Sequence, residues 1–270
     1  MAGTRVHNEH ESMEERPESI LHVQDLTISE AAFVTEVGVA RGLGVAAVVP
    51  LRWVRTRIQF EDLQHQPIDV PEGSIHHRNE TLTGPGDPWL LLHGARSVGA
   101  WTLAARGGIS IPLGRAEPNP FERGHHGLPH QHIQFGTGTW DPVVGLATGR
   151  RFGQVGFRVS GLARLVFSTN EHGYQAGDRY YASAALDRRI AGAWRGIAGL
   201  DLAREEAETW DGRVEMEGNL GRTDLLVAVG VTRSLGNAGS LHVTARIPLL
   251  TRATGAQVRY PVIVAVGLSR

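Results

Sequence analysis

The chain of 270 residues carries 27 basic against 28 acidic side chains, a formal net charge of -1, and no cysteine. This balance excludes the basic footprint of a nucleic-acid-binding protein, and the missing thiols exclude disulfides, thiolate metal ligands and cysteine nucleophiles. No apolar run approaches the ~18 residues of a membrane-spanning helix; the longest, LGVAAVVPL at 43–51, is half that length.

The N-terminus, MAGTRVHNEHESMEERPES, lacks the basic-then-apolar layout of a signal peptide. Taken literally that reads as cytoplasmic; beside the pattern that follows, it reads as a trimmed or miscalled start. Residues 1–19 are expected to form an extended, flexible segment on the periplasmic side, and 20–270 a single domain.

From residue 20 onward apolar and polar residues alternate. In WTLAARGGISIPL, Trp101, Leu103, Ala105, Ile109, Ile111 and Leu113 oppose Thr102, Arg106 and Ser110. In GQVGFRVSGLARLVF, Val155, Phe157 and Val159 oppose Arg158, Ser160 and Arg164, and in LHVTARIPL, Leu241, Val243, Ala245 and Ile247 oppose His242, Thr244 and Arg246. Between such runs sits a degenerate R-x-x-G: RGLG at 41–44, RSVG at 96–99, RRFG at 150–153, RIAG at 189–192 and RSLG at 233–236, each a tight hairpin turn by its placement. Counting outward predicts twelve strands, near 20–28, 31–40, 44–59, 87–95, 99–112, 132–147, 153–168, 179–188, 193–206, 221–232, 240–250 and 258–269. Tight turns join them at one end. Longer loops near 60–86, 113–131, 169–178, 207–220 and 251–257 join them at the other, with one short connection near Glu30.

Even strand number, long strands and one-sided loops predict an all-β fold: a closed antiparallel transmembrane β-barrel of about twelve strands, with short periplasmic turns and long extracellular loops. A soluble sandwich would alternate similarly but would not need strands this long or aromatics placed at two rims. Trp101, Phe152 and Trp194 fall near the short-turn rim, and Trp53, Trp89, Phe167, Tyr180 and Tyr260 near the long-loop rim. The face opposite the apolar band takes Arg106, Arg158, Arg164, Arg195, Asp187, Asp201, Asp224, His242 and Arg246, a lumen lining of both signs. Pro50, Pro112, Pro142 and Pro248 require bulges or irregular strand ends.

The stretch QFGTGTWDPVVGL (134–146), together with GPGDPWLLL (84–92) and RYYASAALDRRI (179–190), resembles the MetA-pathway of phenol degradation family of outer-membrane proteins. The resemblance spans roughly residues 40–270 and implies a Gram-negative outer-membrane barrel that moves small organic molecules, with no catalytic residues to carry over. Two departures stand out: outer-membrane barrels usually end on an aromatic residue, whereas this chain ends VGLSR, and the signal peptide is missing. Within 132–147 the apolar phase changes between Phe135 and Trp140, so a β-bulge is expected at Gly136–Thr139. A phosphate loop is excluded there, since no helix follows and the chain contains no lysine.

His125, His126, His130 and His132 precede that strand, and His76 and His77 lie in the preceding long loop. Imidazoles from two loops at one rim would suit zinc, copper or nickel; the alternative is solvated loop histidines. For catalysis the chain offers no G-x-S-x-G, only Ser160 and His242 as inward candidates. Arg52, Arg55 and Arg57 either line the pore or reach headgroups and pair with Glu61 and Asp62; Glu205 and Glu206 read as a solvated acidic pair. The sequence thus predicts a non-enzymatic outer-membrane channel for passive uptake or efflux of a small, organic or anionic solute, with no cofactor and with membrane lipid and solute as partners. A metal-binding surface barrel and an outer-membrane lipid-modifying enzyme are the alternatives.

Overall fold

The computed structural model describes residues 1–12, 19–70, 78–255 and 259–270. In chain order, β1 (Ala2–Ser12), β2 (Ile20–Ala40), β3 (Leu43–Glu61), β4 (Glu80–Pro85), β5 (Trp89–Val98) and β6 (Trp101–Ser110) precede a short helix, α1 (Pro120–His125). Next come β7 (Asp141–Phe152), β8 (Val155–Arg164), β9 (Tyr174–Gln175), β10 (Arg179–Ala191), β11 (Trp194–Glu205), β12 (Thr209–Trp210), β13 (Asn219–Ser234), β14 (Ser240–Gly255) and β15 (Ile263–Ser269). Neighbours pair antiparallel around a closed twelve-strand barrel, with β4 as an extra strand and β9 and β12 forming a two-stranded ribbon in the long loops. Closure runs through β1, which pairs with β2 along its whole length and meets β15 at Ala2 and Gly3.

The strand count agrees with the sequence, but two of the twelve differ. The expected hairpin at Glu30 does not exist: β2 is one strand of 21 residues, and Glu30 stands opposite Arg52 in mid-ladder. No glycine or proline occurs between Ile20 and Phe33 to turn the chain there. The twelfth position comes from β1, formed by the first part of the segment expected to be flexible. Its Val6 is buried and it pairs residue for residue with Ile20–Glu30.

The prolines sit where the ladder is broken. β3 pairs with β5 through Leu43–Val48 and with β4 through Leu51–Thr56. Pro50 occupies the gap, where Gly86–Pro88 leave the ladder and Gly86 N donates to Pro50 O at 3.0 Å. Pro248 adjoins a register shift, Leu225 facing Leu250 and Leu226 facing Pro248. Pro142 stands next to the start of β7, and Pro112 lies beyond the end of β6. The 132–147 prediction is corrected here: β7 begins only at Asp141, and Gly136–Thr139 form a loop rather than a bulge within a strand.

Opposed residues in an antiparallel pair share a face, so the register sorts every wall side chain. Leu90, Leu92, Leu103, Leu146, Leu186 and Leu200 form an exposed outward belt. Strands β6, β7, β8, β10 and β11, of 10 to 13 residues, fit the ~9–11 residues a tilted strand needs to cross hydrocarbon. At the short-turn rim Arg150 stacks over Trp101 and Phe152 at 5.8 and 4.7 Å, and Arg233 over Trp194 at 5.4 Å, which suits aromatics and guanidinium groups at headgroup level. At the other rim Trp53 and Tyr180 face outward, but two expected girdle members do not. Trp89 packs against the cluster of Ala46, Leu91 and Val143, and Tyr260 lies under Arg222 at 4.3 Å.

Outward placement of Leu146, 71% exposed, predicts that Leu146→Arg lowers the stability of the vesicle-embedded barrel by ~2–4 kcal/mol. Ala147→Ser, on the opposite face, should change it little. Equilibrium refolding into lipid vesicles reads both.

Candidate functional site

All nine residues expected to line the lumen fall on the inward face. Arg106 stands opposite Gly145, Arg158 opposite Gly149, and Arg164 opposite Val143. Asp187 faces Ile197, Asp201 faces Leu226, and Asp224 faces Ala203 and Thr251. The register brings most of the charges together across strands. Asp187 takes Arg195 and, at 3.3 Å, Arg151; Arg246 Nε donates to Asp201 at 2.8 Å. Asp224 accepts from both Nε and Nη2 of Arg222, at 2.7 and 3.0 Å, and from Thr251 Oγ1 at 2.7 Å. Such two-pronged arginine–carboxylate contacts hold both geometry and charge.

Several inward partners escaped the sequence reading. Glu205, read there as solvated, faces inward and accepts from Arg179 at 2.7 Å and Asn219 Nδ2 at 3.0 Å; only Glu206 turns out, to Arg204 at 2.8 Å. Period-two counting from Asp201 would have placed Glu205 correctly. Arg52, Arg55 and Arg57 divide by the same parity: Arg52 faces inward, donating to Glu30 at 2.9 Å and to the Phe135 carbonyl at 2.9 Å, while Arg55 and Arg57 share the outward face of Trp53. Ser160 and His242 are not brought together. His242 Nδ1 is 2.9 Å from Thr232 Oγ1 and its Nε2 2.9 Å from Ser269 Oγ, whereas Ser160 lies on β8 opposite Ala147 and Ser183.

At the long-loop end, the segment between β6 and β7 folds in against the wall. Its Gly-Thr-Gly-Thr is held by two buried acids. Asp87, from the break between β4 and β5, accepts from Gly114 N at 2.9 Å and Thr137 N at 2.8 Å. Asp141, fully buried at the head of β7, accepts from Thr139 Oγ1 at 2.7 Å. Thr137 Oγ1 lies between them, 3.1 Å from Asp87 and 2.9 Å from Asp141, so its single proton serves the two in turn. The glycines answer to geometry: Gly136 lies too close to Gly114 for any side chain, and Gly138 has φ +71°. Asn170 Nδ2 donates to the Thr137 carbonyl at 3.0 Å, tying in the next loop. That loop and the one beyond β11 pack on Trp210, buried with Val166, Tyr174 and Ala176, with Phe121 of α1 alongside.

The histidines divide in two. His125 and His126 end α1 and are exposed. His130 is buried with Nδ1 2.9 Å from Leu128 O, its ring 5.0 Å from that of His132, which meets Phe121 at 5.4 Å. His76 and His77 lie outside the described residues. Among the described residues no group of three histidines or carboxylates gathers at a metal-binding separation.

Twelve closed antiparallel strands, an apolar outward belt and a charged inward face define a β-barrel of the bacterial outer membrane. The chain belongs to the MetA-pathway of phenol degradation family, whose profile matches residues 24–255. Its fold is similar to that of the COG4313 outer membrane channel from Pseudomonas putida F1, with a TM-score of 0.59 and 12% identity over 98% of this chain and 93% of that one. A loop-deletion mutant of OmpT, an outer membrane protein of Vibrio cholerae, aligns with a TM-score of 0.42 and 9% identity over 98% of this chain and 97% of that one. The comparison with curated proteins found no match.

Two expectations follow for the mouth. Asp87→Ala strands the buried Thr137 N–H and the Gly114 N–H, at about 1–3 kcal/mol each. Limited proteolysis should then cut between residues 111 and 140 where the parent protein resists; equal resistance would show that Asp87 does not hold the loop. Burial pushes the Glu208 carboxyl above its ordinary value of 4.5, against the hydrogen bonds from Trp210 Nε1 at 3.1 Å and Asn219 N at 3.3 Å. A carboxyl raised in the folded state favours the packed loop when protonated. Its contribution is therefore full below pH ~4.5 and is lost as pH rises through the raised value. Acrylamide quenching of Trp210, taken as the difference from Trp210→Phe, should increase over that range, and Glu208→Gln should flatten the profile.

Proposed function

We propose that this barrel is a channel through which small solutes cross the outer membrane passively, in the direction of their gradient. The observation that carries the reading is the division of faces. A belt of apolar side chains on the exterior encloses an interior whose charges, from Arg195 and Asp187 near the short turns to Arg222 and Asp224 near the long loops, are paired within and between strands. Fixed charges of both signs keep such a lumen wet, and their balance sets which ions pass. The similarity of fold to a COG4313 outer membrane channel supports the same reading. The Gly-Thr-Gly-Thr loop and the Trp210 cluster lie at the long-loop end, and we assign selection by size to them, with the arginine–carboxylate pairs below.

Refolded into detergent and added to a planar bilayer, the protein should give discrete conductance steps, and its electrophoretic mobility should change on boiling. Insertion without conductance would favour a plugged barrel, and a folded protein that needs no detergent would exclude the membrane reading.

A further inference from the structure

The lumen arginines are not equivalent. Arg195, Arg246, Arg222 and Arg179 each contact a carboxylate at hydrogen-bond distance, and Arg151 contacts Asp187. Arg164 lies buried, 4.0 Å from Asp141. Arg106 and Arg158 are different: both are exposed on the inward face, and neither has a carboxylate or hydrogen-bond partner among the described residues. They flank one strip of β7, Arg106 opposite Gly145 and Arg158 opposite Gly149, with Ala147 between. Nothing larger than a methyl group rises from the β7 face between them. The inward residues of β6, β7 and β8 carry a single acid, Asp141, and that one is engaged by Thr137 and Thr139 at the mouth.

We propose, on the channel reading above, that Arg158 and Arg106 are two successive docking points for a small carboxylate crossing the lumen, which makes the channel anion-selective. An unpaired guanidinium presents a fork of N–H donors that a carboxylate fills with two parallel bonds. Because the two forks are open to lumen water, each holds an anion loosely enough to release it to the next, as conduction requires. Leu162, whose Cδ1 and the Arg106 Cγ both approach Gly145, and Tyr181 opposite Leu162 give the solute's apolar body a surface beside the upper fork. The paired arginines cannot do this, since their forks are occupied.

The test is the reversal potential of the refolded channel under a KCl gradient, followed by titration of the chloride current with butyrate and, separately, with butanol. Wild type should favour chloride over potassium, and butyrate but not butanol should reduce the current. Arg106→Gln and Arg158→Gln should each lower the chloride-to-potassium permeability ratio roughly twofold, with the double variant near unity and insensitive to butyrate. Neither side chain supports another, so the variants should fold, as heat-modifiable migration will show; Arg55→Gln, on the outward face, should behave as wild type. A current without anion preference, or a preference that survives in the double variant, would overturn this assignment and leave the channel standing. Selectivity that follows the arginines with no effect of butyrate would reduce the pair to a plain electrostatic filter and overturn the docking points. Insertion with no current would overturn the channel reading and this one together.

Discussion

Every feature of this molecule depends on one constraint: in hydrocarbon, a backbone N–H or C=O without a partner costs several kcal/mol, and a sheet can satisfy all of them only by closing. Closure fixes which residues face inward, because side chains alternate and the register is shared by all twelve strands. The long β2 and β3 ladder gives the wall its tallest side, and β1 joins it to β15. Where the ladder breaks, at Pro50 and at Pro248, the break is absorbed by chain that leaves the sheet or by a register shift. At Pro50, the departing chain delivers Asp87 to the mouth.

Beside one apolar cluster, Ala46, Leu91 and Val143 with Trp89, the interior is held by polar contacts. A carboxylate or guanidinium facing a wet lumen costs less than one in a dry core, yet four inward acids have arginine partners: Asp187 and Glu205 pair between adjacent β10 and β11, Asp201 reaches Arg246 on β14, and Asp224 takes Arg222 of its own strand. All four pairs cancel charge, and the three that cross between strands also brace the wall. What remains is the asymmetry of the β6–β8 wall, where arginines outnumber acids. At the mouth the same economy appears in drier form: two aspartates, two threonine hydroxyls and backbone N–H groups close on one another with little exposure. A half-satisfied version of that network would cost more than an apolar plug, so Gly136, Thr137, Gly138, Thr139 and Asp141 have narrow freedom to vary.

Much of this was legible in the sequence because period-two alternation survives without knowledge of partners. The inward placement of Arg106, Arg158 and Asp201 follows from counting along one strand. The same count, extended two or four residues, would have moved Glu205 inward and separated Arg52 from Arg55 and Arg57. The failures have a common cause. The hairpin expected at Glu30 and the strand expected through Gly136–Thr139 were judged from local polarity and phase. Glu30 is instead paired by Arg52, and the Gly-Thr-Gly-Thr turn by Asp87, fifty residues from Thr137.

The sequence by itself therefore determined the all-β class, the two faces of the wall and the end at which the long loops lie, since each is written in spacing along the chain. Only the tertiary structure decided that β1 completes the barrel, that the two family stretches around Asp87 and Thr137 meet, which lumen arginines are paired and which stand free, and that Trp89 turns inward. Those outcomes depend on what lies across the sheet. Register between distant strands is set by closure of the whole barrel, a condition on all twelve strands at once and on no short stretch of them.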